Sequence, residues 1–265
     1  MQPPAGIAFG ALPRKTKYGD GTFPLHSHRW PLIPRSEWRP ASLNRHVPRI
    51  LSQLDGMCTR NASVLGIEAE RSMRGRGDNP PLSAEYHYLR HNLWGVGSSL
   101  DDALIELQQE GTISLADCGG VQMRSRAEFP HDHEILAEQN RLFEAIDLNA
   151  DFDAVATALQ RRHPCLVGVR WEGGGGHAVL ATQLLEVQRG RWAIRGPNSW
   201  GEEWGEVPGY TDDEIAWLKT NNRRPLSGGF FTLTEAECRD FATFGCWAFG
   251  SSTSTFRCWA FGSST

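Results

Sequence analysis

The chain reads as an α+β protein with a helical first half and a β second half. Two observations predict this. Between residues 55 and 150 the apolar residues recur at helical spacing. From 165 onward they fall into short strand-like runs punctuated by Gly190 and Gly196. At 265 residues, with 40% hydrophobic, the chain can bury a sizeable core as one large domain or as two lobes.

The elements follow in chain order. Residues 1–36 hold six prolines together with His26 and His28, and read as an extended arm lying over the protein. After Asp55 and Gly56 a helix can begin at Cys58, with Ala62, Leu65 and Glu68 on one face. The clearest helix has Ser98 or Ser99 as its N-cap and Asp101 and Asp102 in its first turn. It stacks Leu100, Ala103, Leu104 and Leu107, and stops at Gly111. Further helices are expected over 132–146 and 152–161, and strands over 165–171, 177–182, 184–187, 191–195 and 230–233. Residues 241–265 form an apolar tail with an exact internal repeat: Cys-Trp-Ala-Phe-Gly-Ser-Ser-Thr starts at Cys246 and again at Cys258.

Composition excludes several classes. A formal net charge of −4, with basic residues scattered, leaves no nucleic-acid footprint. No apolar run reaches the roughly 18 residues a membrane helix needs. The first residues lack the basic-then-apolar design of a secretory signal, so a cytoplasmic setting is expected, with a phage or secreted context left open. The cysteines at 58, 118, 165, 238, 246 and 258 match no zinc spacing and read as mostly reduced thiols.

Two late runs carry the chemistry. Residues 173–180 read Gly-Gly-Gly-Gly-His-Ala-Val-Leu, and 196–205 read Gly-Pro-Asn-Ser-Trp-Gly-Glu-Glu-Trp-Gly. Each sets one polar side chain, His177 or Asn198, in apolar, glycine-rich sequence, where backbone or ligand can approach closely. Together they suggest an imidazole oriented by an amide. Cys58 is the upstream nucleophile: on the first turn of a helix, the dipole and the orphan N–H groups favour its thiolate, the reactive form. A thiol, an imidazole and an orienting amide make a nucleophile, a general base and its support.

The order Cys, His, Asn, with Gly-Gly-His-Ala-Val-Leu and Asn-Ser-Trp-Gly-x-x-Trp-Gly, resembles the papain-like cysteine peptidases. Gly-Met-Cys-Thr-Arg-Asn-Ala around Cys58 looks like their bacterial and viral branch. From Cys58 to Asn198 is 140 residues, inside the family's range of about 130–150; His177, at 119, falls slightly short. The resemblance spans 37–240 and includes 37–40 as a strand entry, 82–86, the helix from Ser98, and 228–233 as closing strand. It implies a papain-like two-lobe fold, with a helical N-terminal lobe over about 55–150 and a β-barrel-like C-terminal lobe over about 151–240. Residues 206–227 would be an insertion, either a surface excursion or a lip of the cleft.

The implied activity is hydrolysis of peptide bonds, with Cys58, His177 and Asn198 as triad and Trp200 shielding the His–Asn bond. The implied partner is a peptide or protein substrate, without nucleic acid, membrane, metal or organic cofactor. The family usually carries a glutamine six residues before the nucleophile. Here that position is Ser52, and Gln53 lies five before Cys58. Either Gln53 still reaches the oxyanion, beside the Cys58 N–H, or the oxyanion hole is altered; losing one donor costs on the order of a hundredfold in rate. The alternatives are a catalytically impaired peptide-binding protein, or a thiol amidase or acyltransferase on cell-wall-type substrates.

Rival motifs are weaker. The tail repeat Cys-Trp-Ala-Phe is also papain's own nucleophile sequence, which would suit a permuted enzyme. Neither copy has an upstream glutamine, however, so an edge hairpin, a packing strand or a sequence artefact is preferred to a nucleophile or a plug in the cleft. The papain-like inhibitory segment is long and helical, unlike the short, proline-rich arm. His-Asp-His-Glu at 131–134 reads as a helix start rather than a metal site. Residues 147–153 mimic a calcium loop but place Phe152 where glycine is needed. No G-x-S-x-G elbow supports a serine nucleophile.

Overall fold

Helices dominate up to residue 160 and antiparallel strands thereafter. The structure, a computed structural model, describes residues 9–14, 31–75, 79–120, 122–142, 144–171 and 175–249. Most of the arm, part of the glycine run and the second copy of the tail repeat, with Cys258, lie outside the described residues.

The first half supplies α1 (Cys58–Met73), α2 (Ala84–Arg90), α3 (Leu100–Gln109) and α4 (His133–Glu138). Ser99 caps α3 by accepting from the Asp102 N–H, and Gly111 ends the turn at φ 75°, as the sequence requires. Asp151 caps α5 (Phe152–Gln160) by accepting from the Asp153 N–H. The segment 131–134 does open α4, with His133 Nδ1 against the Tyr86 hydroxyl at 2.9 Å.

Two four-stranded antiparallel sheets follow. One has the order β1 (Ala41–Ser42), β5 (Gln183–Gln188), β6 (Arg191–Pro197), β7 (Phe230–Thr234). The other runs β2 (Ala145–Asp147), β8 (Cys246–Phe249), β3 (Cys165–Arg170), β4 (Gly176–Ala181). Only Thr182 separates β4 from β5, so one stretch of backbone passes from sheet to sheet. Gly196 permits their approach: a Cβ there would sit 1.8 Å from the Leu180 carbonyl oxygen.

β3 and β4 are buried on both faces. Val167, Val169 and Val179 join a core with Trp38, Trp192, Ile194 and Phe231. Leu166, Ala178 and Leu180 face the other way, onto Cys58, Leu65 and Leu104. This second core ties the β lobe to α1 and sets the cysteine against β4.

Three expectations change. The helix expected over 132–146 ends at Glu138, and Ala145–Asp147 is a strand, because β8 offers it a ladder from Trp247 to Phe249. The tail boundary at 241 falls inside the fold: α7 (Phe241–Phe244) and β8 belong to it, and Cys246–Phe249, the described part of the first repeat copy, is an interior strand between β2 and β3. The strand entry at 37–40 is instead the end of a 3-10 turn, Arg35–Glu37, leading into β1. Residues 206–227 carry α6 (Asp212–Thr220), closed by a Thr211–Glu214 capping box. It packs as a surface excursion on 42–47, where Trp217 meets His46 at 5.1 Å and Ser42 donates to Glu214. Among the described residues no helix is long and apolar enough to cross a membrane.

Candidate active site

Cys58 is the first residue of α1, preceded by a loop that the rest of the molecule holds rigid. The Asp55 carboxylate accepts from the Tyr88 hydroxyl at 2.8 Å and the Gly95 N–H at 2.6 Å. These bonds, with one from the Gly56 N–H, hold its pKa below the usual carboxylate value although burial acts the other way. The strip 51–53 runs antiparallel to 199–201: Gly201 N donates to Leu51 O, Ser52 bridges Trp200, and Gln53 N donates to Ser199 O. The nucleophile loop and the Asn-Ser-Trp segment are therefore one joined unit.

His177 on β4 and Asn198, directly after β6, meet at 2.7 Å between Nε2 and Oδ1. Ser199 N also lies 2.7 Å from the same Oδ1. A backbone N–H can only donate, so this atom is the oxygen, and Nε2 of His177 must carry the proton. Nδ1 is then the lone-pair nitrogen, and it has no hydrogen-bond partner among the described residues. Trp200 stacks on the imidazole at 4.6 Å and 28° between planes, and Trp171 meets it edge-on at 5.1 Å. Both indoles keep water from the His–Asn bond.

The Cys58 sulfur faces the N–H of Ala178, the residue after His177, together with the N–H groups of Gly10, Thr59 and Cys58 itself. Burial nevertheless raises the thiol pKa, against those donors. It also lowers His177 to about 4, although the Asn198 bond acts in the opposite sense. Both groups are 0% exposed. In this closed arrangement thiol and imidazole are therefore neutral at pH 7.

The arm is what closes it. Residues 9–14 lie along the cleft rather than over the outer surface. Ala11 N donates to Gly176 O, Leu12 N to Ser98 O, and Ser98 N to Gly10 O, each within 2.8–3.0 Å. Phe9 sits edge-on to His177 and Trp200 at 6.0 and 6.2 Å. Gly10 is required here: a Cβ on it would fall 1.6 Å from the Gly56 oxygen. The arm offers the sulfur an N–H donor, which is not an electrophile. Phe9, Gly10, Ala11, Trp171 and Ser199 had no individual signature in the sequence. The arm's contact left only one trace, the short apolar stretch 7–12 in a proline-rich segment.

Gln53 is buried, its Nε2 donating to the Asp55 carbonyl at 2.8 Å and its Oε1 accepting from the Ser199 hydroxyl. Cys118, Cys165, Cys238 and Cys246 are, like Cys58, free thiols. Cys246 is a fully buried core residue on β8, opposite Val167 of β3. His87, His91 and Glu110 place ligand atoms within 4.8 Å of one another. Arginines already balance that cluster: Arg60 donates to His87 Nδ1 at 2.5 Å and pairs with Glu106, and Arg90 pairs with Glu110 at 2.8 Å.

Two lobes with a thiol at a helix start and an imidazole–amide pair on the facing strands constitute the papain-like fold. Solved structures that share it include xylellain, a cysteine protease from Xylella fastidiosa, at TM-score 0.65 and 16% identity over 92% of this chain and 96% of that one. Digestive procathepsin L 3 of Tenebrio molitor matches at 0.59 and 15%, over 86% and 73%. Bromelain from Ananas comosus, in complex with the E64 inhibitor, matches at 0.58 and 14%, over 83% and 100%. No family model and no curated protein matches the chain by sequence.

Proposed function

We propose that the protein is a cysteine peptidase that hydrolyses peptide bonds through an acyl-enzyme thioester. The observation that carries this reading is the His177–Asn198 pair. Its bond leaves Nδ1 as a base, beside a strand position whose next N–H faces the Cys58 sulfur.

In this scheme His177 Nδ1 takes the thiol proton and the sulfur attacks the substrate carbonyl carbon. The Cys58 N–H and the Gln53 amide receive the oxyanion. Collapse breaks the C–N bond, and the imidazolium returns its proton to the leaving amine. Water, deprotonated by His177, then splits the thioester, releasing the acid and restoring the thiol. With the arm seated the site is latent: the thiol is buried and no carbonyl can reach it. The complex of bromelain with the E64 inhibitor supports a peptide-like ligand site on this fold.

The test uses the full chain carrying Gly10→Ala, which cannot seat the arm as here. An epoxide or vinyl-sulfone probe should label it faster than the unmodified chain, casein should be cleaved, and Cys58→Ala should remain unlabelled. Equal labelling of Cys58→Ala would overturn the nucleophile assignment. A second reading, a peptide-binding protein without turnover, is favoured by the Gln53 amide's bond to the Asp55 carbonyl. Labelling without casein cleavage in the Gly10→Ala chain would select it.

A further inference from the structure

Four residues beyond its contact with the sulfur, the arm ends in a charged pocket that the peptidase chemistry does not use. Arg14 Nε donates to Asp101 Oδ2 at 3.1 Å, and its two terminal nitrogens reach both oxygens of Asp147. The guanidinium lies over the Trp247 ring, 5.2 Å from the centroid. Trp247 Nε1 in turn donates to Asp101 Oδ1 at 3.0 Å. Two carboxylates in a bidentate and end-on arrangement, with an aromatic face beneath, make a receptor for a planar cation; an ammonium would use less of it.

All the walls belong to the body of the fold: Asp101 to the first turn of α3, Asp147 to β2, Trp247 to β8. The Thr243 carbonyl of α7 holds the Arg14 backbone N–H at 2.7 Å. The Asp101 side chain is 0% exposed, and Arg14 is the cation that touches it. A buried carboxylate without a counter-charge is strongly unfavourable, so when the arm leaves, Asp101 must take up a proton or accept another cation. Burial already raises the Asp101 pKa to about 6 even with Arg14 in place.

We propose that Asp101, Asp147 and Trp247 form a guanidinium-binding subsite of the cleft, which Arg14 occupies in cis and which an arginine side chain of a bound peptide occupies when the arm is displaced. The proposal rests on the reading that the cleft receives peptides. Arg14 lies four residues beyond Gly10, which meets the sulfur, and an extended peptide of that length spans roughly 13 Å. The same geometry gives the arm its anchor, so ligand arginine and Arg14 compete for one site.

The experiment uses the full chain with Cys58→Ala, to remove turnover, and Arg14→Gln, to vacate the pocket. A fluorescent hexapeptide amide with the sequence of residues 9–14 is titrated by anisotropy against the same peptide with citrulline in place of arginine. The arginine peptide should bind at least about tenfold more tightly, and Asp101→Asn should erase the difference. Asp147→Asn, at a partly exposed position, serves the same purpose should the buried substitution impair folding. Equal binding of the two peptides, no binding of either, or a preference that survives both aspartate substitutions would overturn the proposal. Because binding is read without catalysis, this result is independent of whether casein is cleaved.

Discussion

His177 can act as a base through one nitrogen only while the other keeps its proton, and Asn198 enforces that choice. Ser199 N fixes which Asn198 atom faces the ring, so the amide cannot flip without losing two bonds of 2.7 Å. In the Gly10→Ala chain, Asn198→Ala should therefore lower kcat/KM on a peptide substrate by on the order of a hundredfold, with the protein still folded. An unchanged kcat/KM would remove Asn198 from the scheme. Two of the three candidate residues were legible from an odd local context, His177 after glycines and Asn198 two residues before Trp200, whereas Cys58 was picked out by its place at a helix start. Gln53 was only half legible. Its position could be counted, but its bonds to Asp55 and Ser199 depend on how the two strips 51–53 and 199–201 lie together.

At the scale of elements, local signals placed α3 and α5 well, because their caps are written in adjacent residues. They failed for 139–147, whose apolar spacing also suits a helix. Ala145, Ile146 and Asp147 form β2 because β8, a hundred residues later, presents an unpaired edge to them. β8 in turn packs on α1. A Cβ on Gly66 would lie 2.2 Å from the Phe249 ring, so Gly66 is where α1 admits the tail strand. Gly66→Ala should destabilise the protein by about 1–3 kcal/mol despite the better helix propensity of alanine. Pairing it with Phe249→Leu should recover part of that loss in denaturant titrations. A stabilising Gly66→Ala would contradict the packing of β8 on α1.

At the scale of the whole molecule, four histidines among the described residues are buried in surroundings that disfavour their charged form. Burial lowers His177 to about 4 and His46 to about 3, and lowers His87 and His163 as well. The unfolded chain takes up these protons near pH 6.5 and the folded chain does not, so stability falls as pH drops below 6.5 toward 4. His177 and His46 each contribute a slope of up to about 1.4 kcal/mol per pH unit in that window, and His87 and His163 act in the same direction. Asp101, raised to about 6, and Glu68, raised by burial, work in the opposite direction but are fewer. The melting temperature should therefore be lower at pH 5 than at pH 7. A flat or rising value would show that these histidines are solvated in the folded state.

Local chemistry along the chain determined the α-then-β order, the helix caps, and the identities of the thiol, imidazole and amide, because periodicity, capping and glycine runs act over a few residues. Only the tertiary structure decided that the arm enters the cleft, that Arg14 meets Asp101 and Asp147, and that the first tail repeat is a core strand. The contacts among Arg14, Asp101, Asp147 and Trp247 alone join residues 87 to 146 positions apart, and their energy exists only once burial has brought the partners out of water.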